Sequence, residues 1–213
     1  MGMPRTLLLL TNIPTPYRTN FFNRLSEHLA ANGGRLVVAY CARTEWNRDW
    51  PFIPEENRYE HHFIAGWSLK IGSLTLHFNP AVVSLLWRLR PTWLLSAGAW
   101  NMPTGIFALL VNKVLGGISI FWSEGHADAV LHRRGVVAAV RRLVLRRYNA
   151  FAVPNQRSAD FIASELGRAV KCIALPNTVD DSFYRVPSEK ERAAARERFG
   201  LRNKDRVLVM VAR

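Results

Sequence analysis

The feature that most constrains this chain is a recurring unit: a short unbroken apolar run, a loop, then a segment with helical spacing. Residues 5–11 contain four consecutive leucines. A strand with one wet face alternates apolar and polar side chains. A continuous run therefore predicts a strand covered on both faces, as in a parallel sheet. Residues 12–17 follow as a stiff loop with two prolines, in which Thr15 is placed to cap a helix and Pro16 to start it. Phe22, Leu25 and Leu29 then share one helical face, and residues 32–34 end the helix. The unit repeats. Strands are predicted over 35–41, 59–65, 92–96, 118–122, 150–153 and 170–175, and helices over 80–89, 103–115, 133–148 and 158–166. Residues 42–58 read as a long loop. The pattern predicts the α/β class, a Rossmann-like parallel sheet with helices on both faces.

Residues 188–198 differ, being charged and Ala-rich, and read as a surface or linker helix. Residues 207–211 read as one more buried strand. One strand cannot make a domain. The expected organisation is a domain over 1–187, then a linker helix and the first strand of a second α/β domain over 188–213, cut short.

Charge narrows the partners rather than the fold. There are 29 Lys+Arg against 16 Asp+Glu, a formal net charge of +13, which favours anionic partners. No helix-turn-helix, RRM-type or zinc-finger pattern is present, so no specific nucleic acid is expected. Cys41 and Cys172 lack CxxC spacing and imply reduced thiols in a cytoplasmic setting. The apolar run 7–10 is too short for a signal peptide. The stretch 105–111 is too short to span a bilayer.

In open parallel sheets, ligands bind beyond the carboxyl ends of the strands. That rule nominates loops 12–17, 41–50, 97–103, 123–132, 154–157 and 176–181. Asn12, Pro14, Thr15, Tyr17 and Arg18 stand where backbone N–H groups opening the next helix suit an anion or an acceptor hydroxyl. Trp100 and Asn101 lie at another strand end. Glu124 and His126 follow strand 118–122, and either can orient a hydroxyl or act as base. Glu124, His126 and Asp128 lack supporting metal-ligand spacing, so no metal is expected. His61 and His62 point to opposite faces of one strand and read as structural.

The run Thr11-Asn12-Ile13-Pro14-Thr15-Pro16-Tyr17-Arg18, then Phe21, Phe22 and Leu25, resembles the opening of family-4-type GT-B glycosyltransferases. Residues 151–166, with Val153-Pro154 and Ser158-Ala159-Asp160, resemble their "VPS…A" segment. Pro176-Asn177-Thr178-Val179-Asp180, followed by Phe183, resembles their "PNGVD…F" motif, and 207–213 the strand opening their C-terminal domain. Prolines replace the usual first-loop glycines, and Thr178 stands where glycine is common. The resemblance implies a GT-B N-terminal domain on the acceptor side, in an enzyme moving a sugar from a nucleotide-sugar to an acceptor hydroxyl. It implies retention of configuration, no cofactor beyond the nucleotide-sugar co-substrate, and a substrate role for Asn177. The Glu-rich donor motif belongs to the C-terminal domain, so this chain alone is expected to be inactive.

Helix 133–148 has Val136, Val137, Val140, Leu143, Val144 and Tyr148 on one arc and Arg134, Arg141, Arg142 and Arg146 on the other. The apolar arc is expected to cover the sheet and the arginines to face an anionic membrane. Arg147 falls near the apolar side and is expected to snorkel or pair. A location on the inner face of the membrane would suit a lipid-linked acceptor. Two rivals stand beside the transferase: a nucleotide-sugar 2-epimerase of the same fold, and a non-enzymatic basic module for anionic membrane or nucleic acid.

Overall fold

A computed structural model describes residues 5–210, apart from positions 47, 49, 51, 73, 127–129, 131, 179–184 and 203. The chain divides into two compact units, 1–179 and 180–213.

The first unit alternates strands and helices: β1 (Arg5–Thr11), α1 (Pro16–Ala31), β2 (Gly34–Tyr40), β3 (Glu60–Phe63), β4 (Trp67–Ile71), β5 (Leu74–Phe78), α2 (Val82–Leu89) and β6 (Trp93–Ala97). It continues with α3 (Pro103–Val114), β7 (Ile118–Trp122), α4 (Val136–Leu145), β8 (Ala150–Val153), α5 (Gln156–Leu166) and β9 (Cys172–Ala174). Seven strands form one sheet in the order β3-β2-β1-β6-β7-β8-β9, every neighbouring pair parallel. This is the expected Rossmann-like α/β fold. The leucine run of β1 explains itself here. Leu8 and Leu10 join a core beneath α2 and α3, while Leu9 joins Phe22 of α1 in a second core on the opposite face. A strand covered on both sides has no wet position to give to a polar residue. The chain runs outward from β1 through β2 to β3, then returns to β6 on the other side of β1. The crevice between β1 and β6 is therefore a topological switch point.

The fold also departs from the sequence reading in places. Residues 67–78 form an antiparallel hairpin, β4 with β5, that the sequence reading left unassigned. Helix α4 is rotated from the expected seating: Val144 and Tyr148 pack in the core, but the rest of the predicted arc does not. Ala138, Arg141 and Leu145 face inward, with Arg141 only 4% exposed, whereas Val136 is 80% exposed and Val137, Val140 and Leu143 are also outside. Arg141 is thus not membrane-facing. Its Nε donates to Glu165 Oε2 of α5 at 2.7 Å and its Nη1 to the His132 carbonyl at 3.0 Å. A partner on another helix rotates the helix away from the face that hydrophobicity alone selects. Arg134, Arg146 and Arg147 are exposed, and Arg142 is half-buried.

In the second unit, α6 (Glu189–Arg198) opens on a reciprocal capping box between Ser188 and Glu191. Residues 207–210 form no strand and are exposed, correcting the strand predicted there. Extended chain becomes sheet only by pairing its N–H and C=O groups with a neighbouring strand, and none of the described residues supplies one.

Candidate functional site

A cavity of about 740 Å³ opens at the carboxyl ends of β1, β6 and β7, and the three following loops wall it. It brings together Asn12, Thr15, Tyr17, Arg18, Trp100, Asn101, Glu124 and His126, all nominated by the strand-end rule. Asn177 borders an adjoining recess with Tyr17, Arg18 and Trp122. Pro14 is buried within the first loop and stays off both walls. Asp128, Asp180 and Phe183 lie outside the described residues, and no described group of His, Cys, Asp or Glu is arranged to hold a metal.

Arg18 organises the site. It stands in the first turn of α1, and its guanidinium lies 4.6 Å from the Trp122 ring centroid and 5.6 Å from that of Tyr17. Its Nη2 donates to Glu124 Oε1 at 3.1 Å and its Nη1 to Thr11 Oγ1 at 3.4 Å. The ion pair spans two strand ends, β1 and β7. Guanidinium stacking on an aromatic face fixes the plane of the charge, so its direction is set by packing as well as by the carboxylate.

The start of α1 departs from the expected cap. Thr15 holds the N-cap position with extended backbone, but its side chain makes no capping hydrogen bond. Its Oγ1 is buried without a hydrogen-bond partner, as are Arg18 Nε and Trp122 Nε1. All three residues line the cavity. Polar atoms left unsatisfied at the wall of a cleft, beside a helix N-terminus, suit a polar or anionic ligand that completes them.

A second polar chain lies deeper, and sequence reasoning missed it. His77 is fully buried. Its Nε2 is 3.0 Å from Glu45 Oε1 and its Nδ1 2.8 Å from Ser68 Oγ. Asn12 Nδ2 reaches Glu45 Oε1 at 3.4 Å, and Arg48 of the cavity wall lies 3.7 Å from Glu45. The His77 hydrogen bond holds the Glu45 carboxyl below its ordinary value, against the opposing effect of burial. Gly98 seals the same corner. Its φ is +124°, and a Cβ there would stand 2.9 Å from Asn12 Oδ1, so only glycine lets Asn12 sit across the switch point. Arg134, Arg142 and Arg146, expected to face a membrane, are absent from the cavity wall, whereas Arg141 contributes to it from α4.

No protein-family model matches the sequence, and no curated protein is significantly similar to it. Solved structures are similar in fold. HepE of Anabaena in complex with UDP-glucose superposes with a TM-score of 0.62 at 12% identity, over 92% of this chain and 50% of that one. A glycosyltransferase from Rickettsia africae gives 0.60 at 8% identity, over 94% and 51%. A UDP-N-acetylglucosamine 2-epimerase gives 0.55 at 10% identity, over 87% and 52%. The chain spans about half the length of these proteins. At such identities the likeness establishes the fold alone: an α/β, Rossmann-like domain of the GT-B type.

Proposed function

We propose that this chain is the acceptor-side domain of a family-4-type, retaining glycosyltransferase. The whole enzyme would move a sugar from a nucleotide-sugar to an acceptor hydroxyl at the cytoplasmic side of a membrane, without an obligatory metal. The observation that carries the reading is the convergence of Arg18, Glu124 and His126 with the unsatisfied Thr15 hydroxyl in one cleft at the switch point. In the transfer, the bond from the anomeric carbon to phosphate oxygen breaks as one to the acceptor oxygen forms. Charge develops on the leaving diphosphate, and the acceptor proton must depart. Arg18, fixed by Trp122 and Glu124, and the N–H groups opening α1 face the departing charge. Glu124 and His126 at the end of β7 are the two candidates to accept that proton or to orient the hydroxyl. Trp100 and Asn101 offer a flat apolar face and an amide for the acceptor.

A second reading, nucleotide-sugar 2-epimerase, is favoured by the comparable fold likeness to that enzyme. The reactions differ in product. Transfer releases nucleoside diphosphate only when acceptor is present, whereas epimerisation leaves an intact nucleotide-sugar. The whole enzyme that contains this domain is assayed with labelled nucleotide-sugars and a lipid extract as acceptor source, following both products. Diphosphate release that depends on acceptor, and falls roughly 100-fold in Arg18→Ala, is the expected result. An epimeric nucleotide-sugar formed without acceptor overturns the proposal.

A further inference from the structure

The hairpin β4–β5 carries an apolar face that the described residues leave largely exposed. Its cross-strand pairs Trp67 with Phe78, Leu69 with Leu76 and Ile71 with Leu74 all lie on one side. Trp67 is 68% exposed, Leu69 61%, and Ile71 and Leu74 53% each. The opposite side anchors the hairpin. There Ser68 and the buried His77 tie it to Glu45; on the apolar side, Phe78 at the base of the hairpin meets Phe107 of α3 with ring centroids 5.5 Å apart. At its base, a Cβ on Gly66 would come within 2.4 Å of the Phe78 carbonyl oxygen, so the two strands close only around glycine. A hairpin held by its polar side, with its apolar side in water, is placed to bury that side elsewhere.

The charge around it identifies the occupant. Residues 61–123, which include the hairpin, α2 and α3, contain no Asp or Glu, and neither do residues 129–159, which include α4. Lys70 sits on the hairpin itself, 3.6 Å from the ring centroid of the exposed Trp46. Leu74 at the hairpin turn and Val137 on the exposed face of α4 line the same cavity, and α4 carries exposed Arg134 and Arg146. Apolar side chains and tryptophan beside positive charge complement the headgroup region of an anionic bilayer.

We propose that β4–β5 is a membrane-inserting wedge. It embeds the Trp67–Leu69–Ile71 face in an anionic lipid monolayer and so brings the cavity mouth to the bilayer surface. The proposal goes beyond the enzymatic reading and does not depend on it.

The full chain is mixed with vesicles of phosphatidylcholine alone and of phosphatidylcholine with phosphatidylglycerol, and floated on a density gradient without any nucleotide-sugar. Binding should require phosphatidylglycerol and weaken with salt. Leu69→Asp/Ile71→Asp should reduce it at least tenfold with an unchanged circular dichroism spectrum. Lys70→Gln should reduce it about fivefold, the effect of one basic residue at such a surface. Brominated lipid should quench part of the tryptophan fluorescence in the wild type but not that part in Trp67→Phe, a readout that needs no disruptive substitution. The proposal is overturned if the aspartate variant floats like the wild type. It is equally overturned if Trp67→Phe leaves the quenching unchanged, or if the face proves to be covered by a second copy, seen as a lipid-independent dimer that the aspartate substitutions dissociate.

Discussion

Removing the charge of Glu165 tests how α4 is seated. Its carboxylate accepts from Arg141 Nε at 2.7 Å and lies 2.6 Å from Nη2, with side-chain exposures of 5% for Arg141 and 12% for Glu165. In Glu165→Gln the guanidinium stays buried beside a neutral amide, keeping only its bond to the His132 carbonyl. Stripping one partner from a buried pair costs about 3–5 kcal/mol, and the remaining bond places this case near 3. For a chain of this size that lowers Tm by roughly 6–12 °C. Replacing both partners with apolar residues, Arg141→Met/Glu165→Leu, should restore most of the loss, because no buried charge is left alone. Val140→Asp, on the exposed face, should change stability by no more than about 0.5 kcal/mol. Thermal unfolding followed by circular dichroism reads all three. If α4 instead covered the sheet with its valines, the order would invert. Glu165→Gln would be nearly silent, as for an exposed pair, and Val140→Asp would unfold the domain. That inverted order would refute the arrangement.

Glu45 predicts an acid-sensitive contribution. Its folded pKa lies below the ordinary 4.5 because of His77, so its stabilisation is complete above that value and is lost as pH falls through the folded pKa. The deficit of Glu45→Gln in urea unfolding should therefore be full near pH 6–7 and shrink below about pH 4.5; a deficit independent of pH would contradict the His77 bond. The two thiols should separate by reactivity. Cys172 is exposed, whereas burial pushes the Cys41 thiol up to about 12. One equivalent should react with a disulfide reagent at pH 8 in the native protein and two in guanidinium; two in the native protein would contradict the buried position of Cys41.

Much of the molecule was determined by the sequence alone. The strands at 5–11, 118–122 and 150–153 have the bounds their apolar runs predicted, because burial on both faces leaves no polar position to blur an edge. The loops of the cavity were legible for the same reason: strand order need not be known to say that ligands gather at carboxyl ends. The hairpin's signal was also present, in Gly72-Ser73 flanked by alternating apolar residues. It stayed hidden because such alternation is read as half-buried, and here the apolar half faces out. Other features had no local trace. Arg141 looked like a surface arginine until Glu165, on the next helix, stood beside it. Glu45, His77 and Asn12 are remote in sequence and meet only because β1, β5 and the loop after β2 converge. Periodicity records which face of an element is apolar. Only tertiary structure decides whether that face turns toward the core or away from it, because the decision rests on partners that arrive from elsewhere in the chain.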